Sequence, residues 1–164
     1  MANKLNDLKD LLHMELKDLY SAENQISKAL PKLAKSAKNT KLREAFEQHL
    51  EQTARQIERL EKVATDMKVD IKGEECEAMK GLVKEGEDMM KEKAADAVHD
   101  AGLIASAQRV EHYEIAGYGT VARYLQMLDM KESAKLMTQT LNEEKETDKK
   151  LSKLAEEINA EAMR

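Results

Sequence analysis

Five acidic residues fall on the apolar faces of predicted helices, where an ionised carboxylate needs a metal ion, a counter-charge or a proton. At about 100° per residue, Glu23 lies within the stripe of apolar residues between Leu12 and Leu30. Four more acids lie among apolar residues of two later helices: Glu111, Glu114, Glu144 and Asp148. We expect all five side chains to point into the core, where carboxylate oxygens can bind divalent metal ions.

The acids are also predicted to meet at one level of the fold. Glu23 and Glu51 lie at nearly equal distances from the turn between their helices, and so do Glu114 and Glu144. At a rise of about 1.5 Å per residue, this level is roughly 20 Å below each turn. Uncompensated ionised carboxylates at that depth are costly, and a metal pair is a compensation found in helix bundles. Any single Glu could instead reach water, or pair with Lys or Arg at the edge of its stripe.

Two long helices must position the first of these acids. Apolar residues at spacings of three and four predict a helix over about residues 6–37, with a bend expected at Pro31. A polar turn follows, in which Asn39 or Thr40 can cap a second helix that ends near Met67. The two helices should form an antiparallel hairpin.

A second hairpin must position the other acids. A weaker helix over about residues 74–91 connects the two hairpins, and apolar spacing resumes over about 94–128. After a turn at 129–132, a last helix carries apolar residues as far as Ile158. The prediction is an all-α, ferritin-like four-helix bundle, with a long crossover between the second and third long helices that carries the extra shorter helix.

Composition supports long helices and argues against several functions. The 164 residues suit one domain over 1–164; they include one Pro, six Gly and no Trp, and 36% are charged. The net charge of −5 mixes both signs without a basic stripe, so we expect no nucleic-acid partner. The single cysteine, Cys76, allows no internal disulfide, and no apolar stretch is long enough for secretion or membrane insertion. We expect a cytoplasmic protein with no membrane partner.

Four segments of the chain resemble bacterial stress-response proteins of the YciF/YciE type. They are residues 21–23, 49–53, 110–116 and 141–145, and the match is most specific from Val110 to Tyr118. The resemblance covers nearly the whole chain. It implies a ferritin-like fold, a homodimer and a dinuclear metal centre, but no assigned reaction.

A wider resemblance is to rubrerythrin-like di-iron proteins, whose four helices offer Glu, Glu-x-x-His, Glu-x-x-Glu and Glu-x-x-x-His. Five residues match that pattern: Glu23, Glu51, Glu111, Glu114 and Glu144. Ala54 and Asp148 stand where the pattern has histidines. A site made of oxygen ligands alone favours Mn, Ca or Mg over a redox-active iron pair.

The sequence does not decide which residue of the second helix binds the metal. Glu51 fits the family pattern, yet it lies roughly 140° from the centre of the helix's apolar stripe, on which His49 and Thr53 lie. His49 would restore a nitrogen donor, although a histidine on an apolar face is more often a hydrogen-bonded core residue. Both Glu51 and His49 therefore remain candidates.

Two functions follow from these residues. The first is a stress protein that binds two divalent ions, Fe or Mn, and disposes of peroxide, oxidises iron or sequesters metal. The second is a non-catalytic dimeric bundle that acts as a structural or interaction protein on a partner not identified by the sequence. Hydrolase and phosphoryl-transfer functions have no motif here.

Overall fold

The computed structural model describes residues 5–164, which form five α-helices and no strand. The helices are α1 (Leu8–Ser36), α2 (Thr40–Met67), α3 (Glu77–Lys91), α4 (Asp96–Met127) and α5 (Lys131–Ala162). The prediction of an all-α bundle with a short helix in the crossover is confirmed, and the helix ends differ from the predicted ones by only a few residues. Among the described residues, no helix combines the length and apolar character needed to cross a membrane.

Helices α1 and α2 begin at polar side chains that bind free backbone N–H groups. Asp7 caps α1 by accepting from the N–H groups of Lys9 and Asp10, both at 2.9 Å. At α2 the cap is Asn39, whose side chain accepts from the Leu42 N–H at 3.1 Å. These contacts satisfy donors that the first turn of a helix leaves unpaired. Helix α1 continues through Pro31 to Ser36.

The four long helices form a bundle in which α1 packs on α2 and α4, and α5 packs on the same two helices. Cross-helix bonds show that neighbours run antiparallel: Lys41 pairs with Glu157 near one end of α2 and α5, and Ser133 bonds Asp66 near the other. The crossover runs back along the bundle, and α3 packs against α1 and α4. Helices α1 and α5 therefore occupy diagonal positions.

Two apolar clusters fill opposite ends of the bundle. The first contains Leu12, Leu16, Leu19, Leu60, Val63, Leu125 and Met137 among its buried members. The second contains Ile26, Leu30, Leu42, Phe46, Leu103, Ile104 and Leu151. Along α2, α4 and α5, a run of buried polar residues lies between the two clusters. The core is thus interrupted by a polar layer at mid-height.

Candidate metal centre

Each of the four long helices contributes a buried ionisable residue to the polar layer. The residues are Glu23 on α1, His49 on α2, Glu111 and Glu114 on α4, and Glu144 on α5. None is more than 3% exposed. Glu111 and Glu114 are three residues apart on α4, so they share one face of that helix. The inward orientation of the four glutamates is the one that their helical positions predict.

Four of these residues meet closely enough to hold a metal ion. One ligand atom from each of His49, Glu111, Glu114 and Glu144 can be chosen so that all lie within 4.8 Å of one another. The His49 Nδ1 lies 3.1 Å from Oε1 of Glu111. Its Nε2 lies 3.4 Å from Oε2 of Glu144, but in a geometry that makes no hydrogen bond. The imidazole is thus held between two carboxylates.

Many oxygen atoms of this layer have no hydrogen-bond partner. One oxygen each of Glu23 and Glu111, and both oxygens of Glu114 and Glu144, are buried without one. Buried polar atoms are nearly always bonded, and a group left unpaired costs free energy. The site therefore offers ligand atoms that the protein itself does not use.

The electrostatics of the layer oppose full ionisation. Burial raises the pKa of Glu23 to about 8, with a further contribution from the nearby Glu144 carboxylate. Burial also raises the pKa of Glu111 to about 8, although His49 acts in the opposite direction. The pKa of Glu114 is raised well above its usual value by burial and then by Glu144, Glu23 and Glu111. Without a cation, protons must supply part of the compensation.

Glu23 sits beside this group and is held by a tyrosine. The hydroxyl of Tyr118, a fully buried residue of α4, donates a short hydrogen bond to Oε1 of Glu23. Burial, followed by the neighbouring carboxylates, raises the Tyr118 pKa well above its usual value, so this hydroxyl remains a donor. Tyr118 therefore orients Glu23 toward the carboxylates of α4 and α5.

Two other tyrosines, Tyr113 and Tyr20, bind residues outside the centre. The hydroxyl of Tyr113 donates to Asp18 and lies 3.2 Å from Cys76 Sγ, on the side of α4 that faces α1 and α3. Tyr20 donates to Glu61 at 3.0 Å. Of these three tyrosines, Tyr118 is the one whose hydroxyl bonds a residue of the centre.

Two predicted ligands, Glu51 and Asp148, lie outside the buried polar layer. Glu51 is exposed, because two residues along a helix rotate a side chain by about 200° from His49. Asp148 was expected to point inward, but it is only partly buried and accepts a 3.0 Å hydrogen bond from Gln108. It also lies 3.3 Å from His112 Nε2. Its position, about 40° around α5 from Glu144, turns it toward the edge of α4.

Two polar residues extend the layer along α2: Thr53, which the sequence placed on the apolar stripe without a role in the site, and Gln56, which sequence reasoning missed. Thr53 and Gln56 are fully buried, and Thr53 Oγ1 and Gln56 Oε1 have no hydrogen-bond partner. The Gln56 amide donates to Glu143 at 3.2 Å. They lie four and seven residues after His49, a spacing that puts them on the same face of the helix and could have assigned them to the polar layer. They continue the polar face of α2 from His49 toward α5.

The residues present fit a divalent metal ion. A buried set of carboxylates with free oxygens and one imidazole has the donor chemistry of such a site. The cluster can hold a cation through His49, Glu111, Glu114 and Glu144. Glu23 adds a fourth carboxylate next to them.

Comparison with known proteins finds relatives that match nearly the whole chain. Residues 7–164 match the family described as a domain of unknown function, DUF892. Protein YciF of Escherichia coli K12 is 45% identical over 152 residues, which are 92% of this chain and 92% of that protein. The crystal structure of the E. coli stress protein YciF superposes with a TM-score of 0.92 at 44% identity, covering 95% of this chain and 99% of that one.

Two further solved structures are similar. YcfI of Rhodopseudomonas palustris, whose description proposes a structural role, has a TM-score of 0.88 at 41% identity, covering 93% of this chain and 97% of that one. Protein XCC3681 of Xanthomonas campestris has a TM-score of 0.79 at 19% identity, covering 96% and 97% of the two chains. The last likeness concerns the fold alone.

Proposed function

The chain belongs to the DUF892 family, and from that membership we propose that it is a ferritin-like stress-response protein that binds a pair of divalent ions, iron or manganese, in its core. The proposed ligands are Glu23, His49, Glu111, Glu114 and Glu144. The stress role rests on the 45% identity to YciF, which is described as a stress protein.

The observation that carries the proposal is the set of unpaired carboxylate oxygens in a layer enclosed by two apolar clusters. Four carboxylates bring up to four negative charges to this layer. Two divalent ions would balance them with His49 neutral, whereas one ion would leave two charges to be met by protons. Charge balance therefore favours a pair of ions.

The donor set favours iron or manganese among the divalent ions. Carboxylates suit Mg, Ca and Mn, and an imidazole shifts the preference toward transition metals such as Fe. His49 supplies a nitrogen donor to a chain that has Ala54 and Asp148 where the rubrerythrin-like pattern has histidines. Bound iron or manganese would supply reversible redox chemistry, from which we propose a role in handling peroxide or iron. The protein's part is to exclude bulk water from the site and to hold Glu23 in place through Tyr118.

The decisive experiment is elemental analysis of protein loaded with Mn²⁺, or with Fe²⁺ without oxygen, and then freed of excess metal. We expect close to two ions per chain, and a higher melting temperature than after chelation, because a ligand that binds only the folded state stabilises it. The Glu111→Gln/Glu144→Gln double variant should lose the bound metal and the associated rise in melting temperature.

A matched control uses two exposed glutamates, one on α2 and one on α5. Glu51→Gln/Glu146→Gln removes the same charge from two exposed positions, and it should bind metal like the parent protein. Equal metal content in both double variants would refute the core site. If the core site is present, assays of peroxide consumption and of Fe²⁺ oxidation on the loaded protein then test its use.

The second candidate function, a non-catalytic dimeric bundle with a structural role, is favoured by one comparison. YcfI, at 41% identity, is the relative whose description proposes such a role. In the metal-free chain, a protonated His49 between Glu111 and Glu144 would offset part of the buried charge. If the protein has this structural role and binds no metal, chelation should leave its melting temperature unchanged. Analytical ultracentrifugation tests the proposed homodimer.

A further inference from the structure

A narrow cavity lies beneath the crossover helix and reaches the candidate metal centre. Its inner end is lined by His49 and Glu111, which are 3% and 1% exposed. Its outer end is lined by residues of α3 that are only partly buried, among them Val83 and Met90. The cavity therefore extends from near the protein surface to one side of the metal centre, with α3 as its outer wall.

The walls between these ends are almost entirely hydrocarbon. Buried Ile26 and Leu30 of α1 face Ala107 and the partly buried Val110 of α4 across the cavity. Apart from the two residues of the centre, the polar side chains in the lining are those of Glu87 and Ser106. A hydrated ion would lose its water shell along such walls, and burying a charge without a partner is strongly unfavourable. The passage thus disfavours ions and selects uncharged molecules.

The size of the cavity limits the occupant further. Its volume is about 30 Å³, well below the roughly 150 Å³ of an apolar cavity that binds benzene or xenon. Only a molecule of a few heavy atoms fits. Apolar cavities of this kind stay dry and bind small apolar molecules. A diatomic gas therefore fits both the size and the walls.

We infer that the passage beneath α3 admits dioxygen to the His49 and Glu111 side of the centre. Hydrogen peroxide is of similar size, but it would lose hydrogen bonds to water along hydrocarbon walls, so dioxygen is the better occupant. The use of dioxygen at the centre rests on the proposed function. The passage itself does not, because its walls belong to the protein.

The test is made on the full metal-free chain, with dissolved dioxygen as a paramagnetic probe in methyl NMR. The methyl groups of Ile26, Ala107 and Val110 should show dioxygen-dependent relaxation several-fold stronger than that of Leu12 and Val63, which are 0% exposed in the other apolar cluster. Equal effects on both sets of methyl groups would overturn the inference.

Two substitutions test whether the route runs beneath α3. Val83→Trp fills the outer end, and Val98→Trp makes the same change at a position 44% exposed on α4 outside the cavity. Gly86→Leu is a second blocking variant, since a Cβ at Gly86 meets only Ser106 Cβ at 3.8 Å and a longer chain extends into the passage. The blocking variants should lose the enhanced relaxation and the Val98 variant should keep it. Retention in a folded blocking variant would overturn the route.

Metal content separates this inference from the proposed function. The blocking variants leave all five proposed ligands in place, so they should load with Mn²⁺ like the parent protein. Failure of the parent to load refutes the metal centre and leaves the relaxation result standing. Normal loading without enhanced relaxation refutes the passage alone.

Discussion

At the scale of single residues, the environment of His49 determines its charge. Burial lowers the pKa of the imidazole, but the adjacent Glu111 and Glu144 carboxylates raise it by more, and the balance lies well above its usual value. The two carboxylates therefore favour the protonated form of His49 in the metal-free chain. A histidine must lose that proton to bind a metal ion, so metal binding at His49 releases a proton.

We predict that His49→Ala weakens Mn²⁺ binding and that Glu51→Ala does not. The two residues are two positions apart on α2, yet only His49 is buried in the centre. Changes to residues that merely orient metal ligands cost about 10–100-fold in affinity, so loss of a ligand should cost at least as much. Titration calorimetry measures both variants against the parent. The opposite order would assign the α2 ligand to Glu51.

The buried carboxylates also predict how stability depends on pH. The pKa values of Glu23 and Glu111 are raised from 4.5 to about 8 in the folded chain. Between these values the folded state holds protons that the unfolded state has released, so the free energy of unfolding decreases as pH rises. The raised pKa of His49 acts in the same direction above 6.5.

For the metal-free protein we therefore expect stability to fall from pH 4.5 to pH 8, by up to about 1.4 kcal/mol per pH unit for each such carboxyl. Urea unfolding at a series of pH values measures this slope. Glu23→Gln should flatten it, whereas Glu51→Gln, at an exposed position, should not. Stability that rises over this range would contradict the assigned protonation of the centre.

At the scale of elements, α4 packs closely on α1 and α3, because two of its glycines lie against side chains of these helices. A Cβ added at Gly117 would lie 2.7 Å from Leu19 Cδ2 on α1. A Cβ at Gly102 would lie 2.5 Å from Met89 Sδ on α3. These glycines set the distances at which α1 and α3 pack, and so the positions of Glu23 and of the passage relative to α4.

We predict opposite effects for two alanine substitutions on α4. Gly117→Ala should destabilise the protein by roughly 1–3 kcal/mol, because the side chain of Leu19, which is 1% exposed, would have to shift within the packed core. Gly119→Ala, where an added Cβ meets nothing within 4 Å, should stabilise it by up to about 1 kcal/mol through helix propensity. Thermal unfolding distinguishes them. Equal stabilisation by both would show that α1 and α4 are not in close contact here.

At the scale of the whole molecule, the polar layer divides the apolar core into two clusters. Each cluster includes residues of all four long helices, so the bundle is held together above and below the layer. The layer itself contributes unpaired carboxylates rather than apolar contacts. Carboxylates kept for metal binding would thus lower the stability of the metal-free chain. Other functional sites show the same trade between stability and function.

We therefore predict that Glu114→Leu/Glu144→Leu makes the metal-free protein more stable at pH 8, by roughly 1–4 kcal/mol, since replacing buried charges by apolar groups is often stabilising. The variant should bind no metal. Glu51→Leu/Glu146→Leu, at exposed positions, should change stability by no more than about 0.5 kcal/mol. Urea unfolding gives both values. Destabilisation by the core variant would favour a structural role for the layer.

The amino-acid sequence by itself determined the helices, the turns and the inward direction of the central glutamates. Each of these depends on local geometry. Apolar spacing defines a helix and its buried face, so the positions of Glu23, Glu111, Glu114 and Glu144 on their stripes were readable. Asn39 was identifiable as one of two possible caps from its residue type and place.

Only the tertiary structure decided which borderline side chains reach the centre. Helical spacing gives the direction of a side chain, but the neighbouring helices decide what it meets there. Asp148 lies at the edge of its stripe, and Gln108 of α4 accounts for its position outside the cluster. Tyr118 and Tyr113 are both on α4 and both donate to α1, but Tyr118 meets Glu23 whereas Tyr113 meets Asp18. The passage beneath α3 likewise depends on how three helices pack, which no local pattern encodes.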